Sequence, residues 1–232
     1  MILKLLKIFL APVLIHQGKK MARETPRLPE AKGLRKGIQG SGERQIRLLI
    51  LGDSAAAGVG VDHQDQALSG QILACFGPQY TVAWELIAKT GATTAGTIKH
   101  IKPLPPATFD YVVTSLGVND VKRGVPADKW AEQQKTLIAL LGDRFKVRRF
   151  IISAVPPMEL FPAIPWPLNW YLGLCAARMN KTIKKWLKTQ PDCEFMEFNL
   201  PMDPSLMAYD GFHPGPRLHT IWAKEIFNRI DK

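Results

Sequence analysis

From residue 45 onward, short β-branched or leucine-rich runs alternate with longer stretches that carry apolar residues at helical spacing. This alternation limits the fold more than any other feature of the chain. The runs Arg47–Leu51, Thr81–Ala88, Tyr111–Leu116, Phe150–Val155 and Glu194–Phe198 read as strands. Helices are expected over Gln66–Phe76, Thr93–Ile101, Ala127–Leu141, Leu168–Leu187 and Pro216–Ile230, the last with proline suited to its first turn. Short apolar strands separated by helices imply parallel pairing with helices on both sheet faces. The expectation is a three-layer α/β/α domain over residues 45–232, built on a five-stranded, mostly parallel sheet. In such sheets, sites form where strand C-termini meet helix N-termini.

Residues 1–44 stand apart as a basic and apolar arm with its linker. The net charge of +11 is concentrated there: residues 1–50 carry eleven Lys/Arg against three Asp/Glu, or +8, leaving +3 for the other 182 residues. A basic body would have pointed to nucleic acid. This body is nearly balanced, and no nucleic-acid partner is expected. Residues 1–16 are apolar with Lys4 and Lys7 interposed, and Lys19, Lys20 and Arg23 follow. Such a segment fits a membrane-surface helix, a secretory signal or signal-anchor, or a helix packed on the body. The flanking cations suit anionic headgroups, so peripheral membrane contact through residues 1–20 ranks first, with a membrane-associated cytoplasmic location and export as its alternative. Residues 22–44 are rich in proline, glycine and charge and read as a linker or extended strap. Three cysteines, Cys75, Cys175 and Cys193, make neither a disulfide scaffold nor a zinc pair and read as buried thiols.

Four constellations fall just after expected strands. Gly52-Asp53-Ser54 ends the first strand; a serine at a strand-to-helix turn presents its hydroxyl at the top of the sheet, where a helix N-terminus stabilises negative charge. Taken alone it reads first as a helix cap, the commonest job of such a serine. Thr90-Gly91-Ala92 comes after the second strand, and Gly91 either admits a ligand to a backbone N–H or simply makes the turn. Gly117-Val118-Asn119-Asp120 comes after the third, with an asparagine amide able to face an oxyanion or to cap the turn. Before the last helix, Asp210-Gly211-Phe212-His213 puts a carboxylate three residues ahead of an imidazole, close enough to fix its tautomer. Asp53 and Asp120 read as local orienting groups rather than a catalytic carboxylate pair.

Taken in order, GDS, Gly, GxND and DxxH, the sequence resembles the SGNH (GDSL-type) hydrolases over about residues 45–232. The resemblance implies a flavodoxin-like fold, Ser54 as nucleophile, and Asp210 and His213 as the rest of a triad. It also implies an oxyanion hole from the Ser54 and Gly91 N–H groups and the Asn119 amide, with no metal or organic cofactor. Ala55 stands where the family name has leucine, which bears on packing more than on chemistry. The implied activity is serine-esterase hydrolysis of short- to medium-chain acyl esters through an acyl-enzyme. The alternative is an acyltransferase or a carbohydrate or lipid deacylase, lysophospholipase- or thioesterase-like; a non-catalytic binding module would need the reactive positions to be idle. A proline-stiffened apolar segment over residues 155–171 should emerge beside the triad. Its Phe161, Ile164, Trp166 and Trp170 are candidate walls of a pocket for a small or lipid-derived acyl ester, or else packing against neighbouring helices.

Overall fold

A computed structural model describes residues 2–197 and 203–231. The core is a six-stranded sheet made of β1 (Lys36–Gln39), β2 (Arg44–Gly52), β3 (Tyr80–Ala88), β4 (Tyr111–Ser115), β5 (Arg149–Ser153) and β6 (Cys193–Met196). Their spatial order is β1-β3-β2-β4-β5-β6. All neighbours pair in parallel except β1, which runs antiparallel to β3 at the edge with Lys36 opposite Glu85. The sequence led us to expect five strands. The sixth comes from within the presumed linker: Lys-Gly-Ile-Gln is four residues long, almost wholly exposed, and carries no apolar alternation to signal it. The expected fifth strand is observed as β6, and Phe198, at its anticipated end, lies outside the described residues.

The strand pleat sorts the apolar residues into two cores. Leu49 and Leu51 of β2, with Val112, Phe150 and Ile152, face α3 (Thr94–Ile101), α5 (Ala127–Phe145) and α6 (Leu168–Leu187). Leu48 and Ile50, with Val113, Ile151 and Met196, face α2 (Leu68–Ala74) and α7 (Pro216–Ile230). Alternate residues of one strand thus enter opposite cores, as the two-residue period of a strand buried on both faces requires. The result is the expected three-layer α/β/α architecture.

The N-terminal segment forms α1 (Ile2–Glu24), and part of it packs on the body. Leu14 is buried in the α3/α5/α6 core, Leu10 and Met21 lie against that core, and the Gln17 amide bonds the backbone at Trp166 and Leu168. Packing on the body, the reading ranked last for this segment, therefore describes one face of the helix. Its other face, with Phe9, Val13, Ile15, Lys19, Lys20 and Arg23, is exposed. Among the described residues no helix is long and apolar enough to cross a membrane. The three cysteines form no disulfide and are half-buried rather than fully buried.

Candidate active site

At the end of β2, Gly52 lies between Ala88 of β3 and Ser115 of β4, the point where the chain connections diverge to either side of the sheet. The next residue leaves the sheet, its N–H still donating to the Ser115 carbonyl at 3.1 Å. Beyond Ser54 the chain makes an irregular turn and not the helix the sequence suggested. The Ala57 N–H bonds the Asp53 carbonyl, the Val59 N–H bonds the Ser54 carbonyl, and Gly58, at φ +81°, takes the chain out of the turn in a conformation that favours glycine. The first regular helix after Ser54 is α2, which begins only at Leu68. Charge at Ser54 therefore meets the N–H groups of a turn rather than the N-terminus of a helix that follows it.

His213 arrives from the opposite end of the chain. The segment before α7 is a closed loop in which the Ala208 N–H bonds the His213 carbonyl and Met207 bridges to Pro214. Inside it the Asp210 carboxylate accepts the N–H groups of Phe212 (2.9 Å) and His213 (3.0 Å) through Oδ1, and meets His213 Nδ1 at 2.6 Å through Oδ2. That contact puts the imidazole proton on Nδ1 and turns the Nε2 lone pair towards Ser54, whose Oγ lies 3.0 Å away. The Asp210 side chain is fully enclosed. Burial works to raise its pKa, but the hydrogen bonds from the His213 ring and the two backbone N–H groups prevail and hold the carboxyl below its usual range. The His213 ring is braced edge-on by Phe212 at 5.1 Å, which in turn meets Phe161 at 5.3 Å.

The remaining two sequence candidates flank this line. Gly91 adopts φ +78°, and a Cβ there would meet nothing within 4 Å, so backbone conformation rather than crowding selects glycine. Asn119 lies in a five-residue helix, α4 (Val118–Lys122), directly after β4. Its amide Nδ2 donates to the Ala92 carbonyl at 3.0 Å and to Asp53 Oδ2 at 3.3 Å, which ties the Gly91 loop, the Asn119 loop and the residue before Ser54 together. The two aspartates behave as orienting groups. Asp53 also accepts the Ala55 N–H, and burial pushes its carboxyl up to about 6 although that N–H and the charges of His213 and Lys122 pull it down. Asp120 accepts both the N–H and the hydroxyl of Thr94, whose Oγ1 also receives Trp130 Nε1 and Gln134 Nε2. Burial still leaves the Asp120 carboxyl above its ordinary range.

A cavity of about 50 Å³ opens beside Ser54 and His213 and runs inward between the ends of β4 and β5 and the α7 helix. Of the four pocket candidates, only Phe161 lines it. Ile164 is buried in the α3/α5/α6 core, whereas Trp166 (76 % exposed) and Trp170 (40 % exposed) point to solvent away from the cavity. The reason is that the 155–171 segment folds back on α6 instead of arching over the triad: Asn169 Nδ2 bonds the Glu159 carbonyl and Asn180 brackets both backbone groups of Val155. Sequence reasoning missed Leu218 and Trp222 of α7 as cavity walls. Their i, i+4 spacing signals a buried helix face and nothing more. Among the described residues no group of three or more His, Cys, Asp or Glu is placed to hold a metal ion.

Fold and site together define a serine-hydrolase-like α/β/α protein. Residues 50–221 match the GDSL-like lipase/acylhydrolase family, and the chain belongs to that family; it is a carboxylic-ester hydrolase. No curated protein sequence matches it. Among solved structures it is similar to a lipolytic G-D-S-L family protein from Veillonella parvula, with TM-score 0.62 and 17 % identity over 79 % of this chain and 98 % of that one. It is also similar to the psychrotrophic esterase EstA from Pseudoalteromonas sp. (TM-score 0.59, 18 % identity, 80 % and 96 % covered). An acetylxylan esterase from Geobacillus stearothermophilus gives TM-score 0.55 at 18 % identity, with 83 % and 96 % covered.

Proposed function

We propose that this chain is a serine esterase that hydrolyses short- to medium-chain carboxylic acyl esters through Ser54, His213 and Asp210. One observation carries the reading: the unbroken hydrogen-bond line from Asp210 Oδ2 through His213 to Ser54 Oγ, at 2.6 and 3.0 Å. His213 Nε2 takes the hydroxyl proton as Ser54 Oγ bonds the ester carbonyl carbon, and the carbonyl π electrons move onto oxygen. The oxyanion is held by the N–H groups of Ser54 and Gly91 and by Asn119 Nδ2, which exchanges its longer bond, the 3.3 Å one to Asp53, for the oxyanion. Collapse breaks the bond to the alcohol oxygen, which leaves with the proton from His213. Water then repeats the sequence on the acyl-enzyme and releases the acid.

The test is hydrolysis of p-nitrophenyl esters. Ser54→Ala and His213→Ala should each lower kcat by about 10⁴-fold or more while the protein stays folded. Equal rates in either variant overturn the assignment. The acetylxylan esterase among the structural neighbours favours a second reading, removal of acetyl groups from a sugar. Acetylated xylo-oligosaccharides turned over faster than simple esters of the same acid would select it.

We propose further that α1 makes peripheral contact with an anionic membrane surface. Its outward residues Phe9 (80 % exposed), Val13 and Ile15 are apolar, and Lys19, Lys20 and Arg23 are exposed beside them. This pairing suits the boundary between acyl chains and acidic headgroups. In vesicle flotation the protein should rise with phosphatidylserine-containing liposomes and remain below with neutral ones, and Phe9→Ser combined with Lys19→Glu and Lys20→Glu should abolish the effect. Failure of the unaltered protein to float excludes the contact.

A further inference from the structure

The cavity beside Ser54 lies in the seam between the two cores. Leu116 and Ala154, at the ends of β4 and β5, form one side and Phe161 another. Leu218 and Trp222, each 2 % exposed, form the α7 side. Its polar wall residues, Asp53 and Ser115, lie together at the Ser54 end, where the Asp53 N–H bonds the Ser115 carbonyl. A space walled in this way takes hydrocarbon and rejects hydroxylated groups, whose hydrogen bonds to water would be lost without replacement. Its inner walls are buried residues, so whatever enters from Ser54 must leave by the same route.

We infer that this cavity holds the acyl tail of the substrate, so that Leu218 and Trp222 select acyl-chain length while the alcohol half of the ester stays outside and is weakly selected. The inference deepens the esterase reading and rests on it. Chemistry fixes the orientation. After the first half-reaction the acyl group remains bonded to Ser54 while the alcohol departs and water takes its place. An alcohol lodged in the blind end would be trapped behind the acyl-enzyme and would block that water. An acyl tail lodged there leaves the open side clear for both. With each water-sized group occupying about 10–15 Å³ of such space, a cavity of about 50 Å³ admits roughly three or four carbons.

The experiment measures kcat/KM for p-nitrophenyl esters from two to twelve acyl carbons, and for butyrates of several alcohols normalised to their leaving-group pKa. In the unaltered protein kcat/KM should rise about fourfold per methylene up to about four or five carbons, from the burial free energy of a CH₂. It should then fall about tenfold or more by eight carbons as the tail is overpacked. The normalised butyrates should agree within about fivefold, since no enclosed wall meets the alcohol. Ala154→Leu should move the optimum to acetate, and Trp222→Ala should move it outward by two or more carbons. Should Trp222→Ala fail to fold, Met207→Ala opens the cavity from a half-buried wall residue and should shift the optimum the same way. A rate that climbs steadily to twelve carbons, an optimum unmoved by Ala154→Leu, or a spread among butyrates wider than that among acyl chains overturns the inference. Labelling with an ethyl phosphonate separates the two failures. Modified Ser54 with an unmoved profile sinks the acyl cavity alone, whereas the absence of both labelling and hydrolysis sinks the esterase reading and this inference with it.

Discussion

His219 shows how little separates an imidazole proposed as a base, His213, from a structural one nearby in the chain. It lies six residues beyond His213, is wholly buried, and stacks on Trp222 with ring centroids 6.2 Å apart. Among the described residues neither of its ring nitrogens finds a hydrogen-bond partner. Burial, helped by the nearby His213, drives its pKa down to about 3 from 6.5. Between those values the unfolded chain binds a proton that the folded chain refuses, so stability is full above about pH 6.5 and drains as pH falls. Asp53 works the other way: with its carboxyl raised to about 6, the folded chain takes up that proton first and gains stability on acidification from there towards pH 4. The histidine effect is the larger. His219→Phe should therefore shrink the stability lost between pH 6.5 and pH 4 by about 3 kcal/mol, read from denaturant midpoints at each pH. An unchanged pH dependence would show that His219 is hydrated or charged in the folded protein.

At the scale of elements, α6 is capped from outside itself. Its N-cap position is Pro167, which offers no side-chain bond, and the Leu168 N–H is instead taken by Gln17 of α1 at 3.2 Å. The same amide donates to the Trp166 carbonyl at 2.7 Å, so one side chain fastens the arm to the start of the longest body helix. Gln17→Ala should lower stability by about 1 kcal/mol, the usual worth of a lost cap, and should speed tryptic cleavage at Lys19, Lys20 and Arg23. Unaltered cleavage would mean that the apolar contacts of Leu10, Leu14 and Met21 fix α1 without the cap. A side chain bonding backbone some 150 residues away leaves no periodic trace in a sequence. For the same reason β1 and α4 escaped notice, since four or five residues span too few turns or pleats for apolar spacing to register. The long elements were legible because each buries a face: Trp130, Leu137, Ile138 and Leu141, set at helical spacing in α5, are all in its buried face.

For the molecule as a whole, the site was more legible than the cavity it serves. Ser54, Asp210 and His213 are reactive types set at strand and helix boundaries, and the sheet brings their separate blocks to one edge. The cavity walls are ordinary apolar residues, and nothing local distinguishes Trp222, which faces it, from Trp130, which fills the opposite core. Pocket identity comes from how two cores meet, a property no single window of sequence contains. The antiparallel pairing of β1 with β3 carries a last consequence for how the chain is divided. Within the 44 residues that look dispensable, Lys36–Gln39 supply the outermost row of backbone bonds, from Lys36 against Glu85 to Gln39 against Val82. Shortening the polypeptide to begin at residue 45 would strip that row and leave β3 as a bare border, with unmet amides ready to recruit a neighbouring copy. The smallest unit that keeps itself to itself therefore begins upstream of the motif-bearing domain.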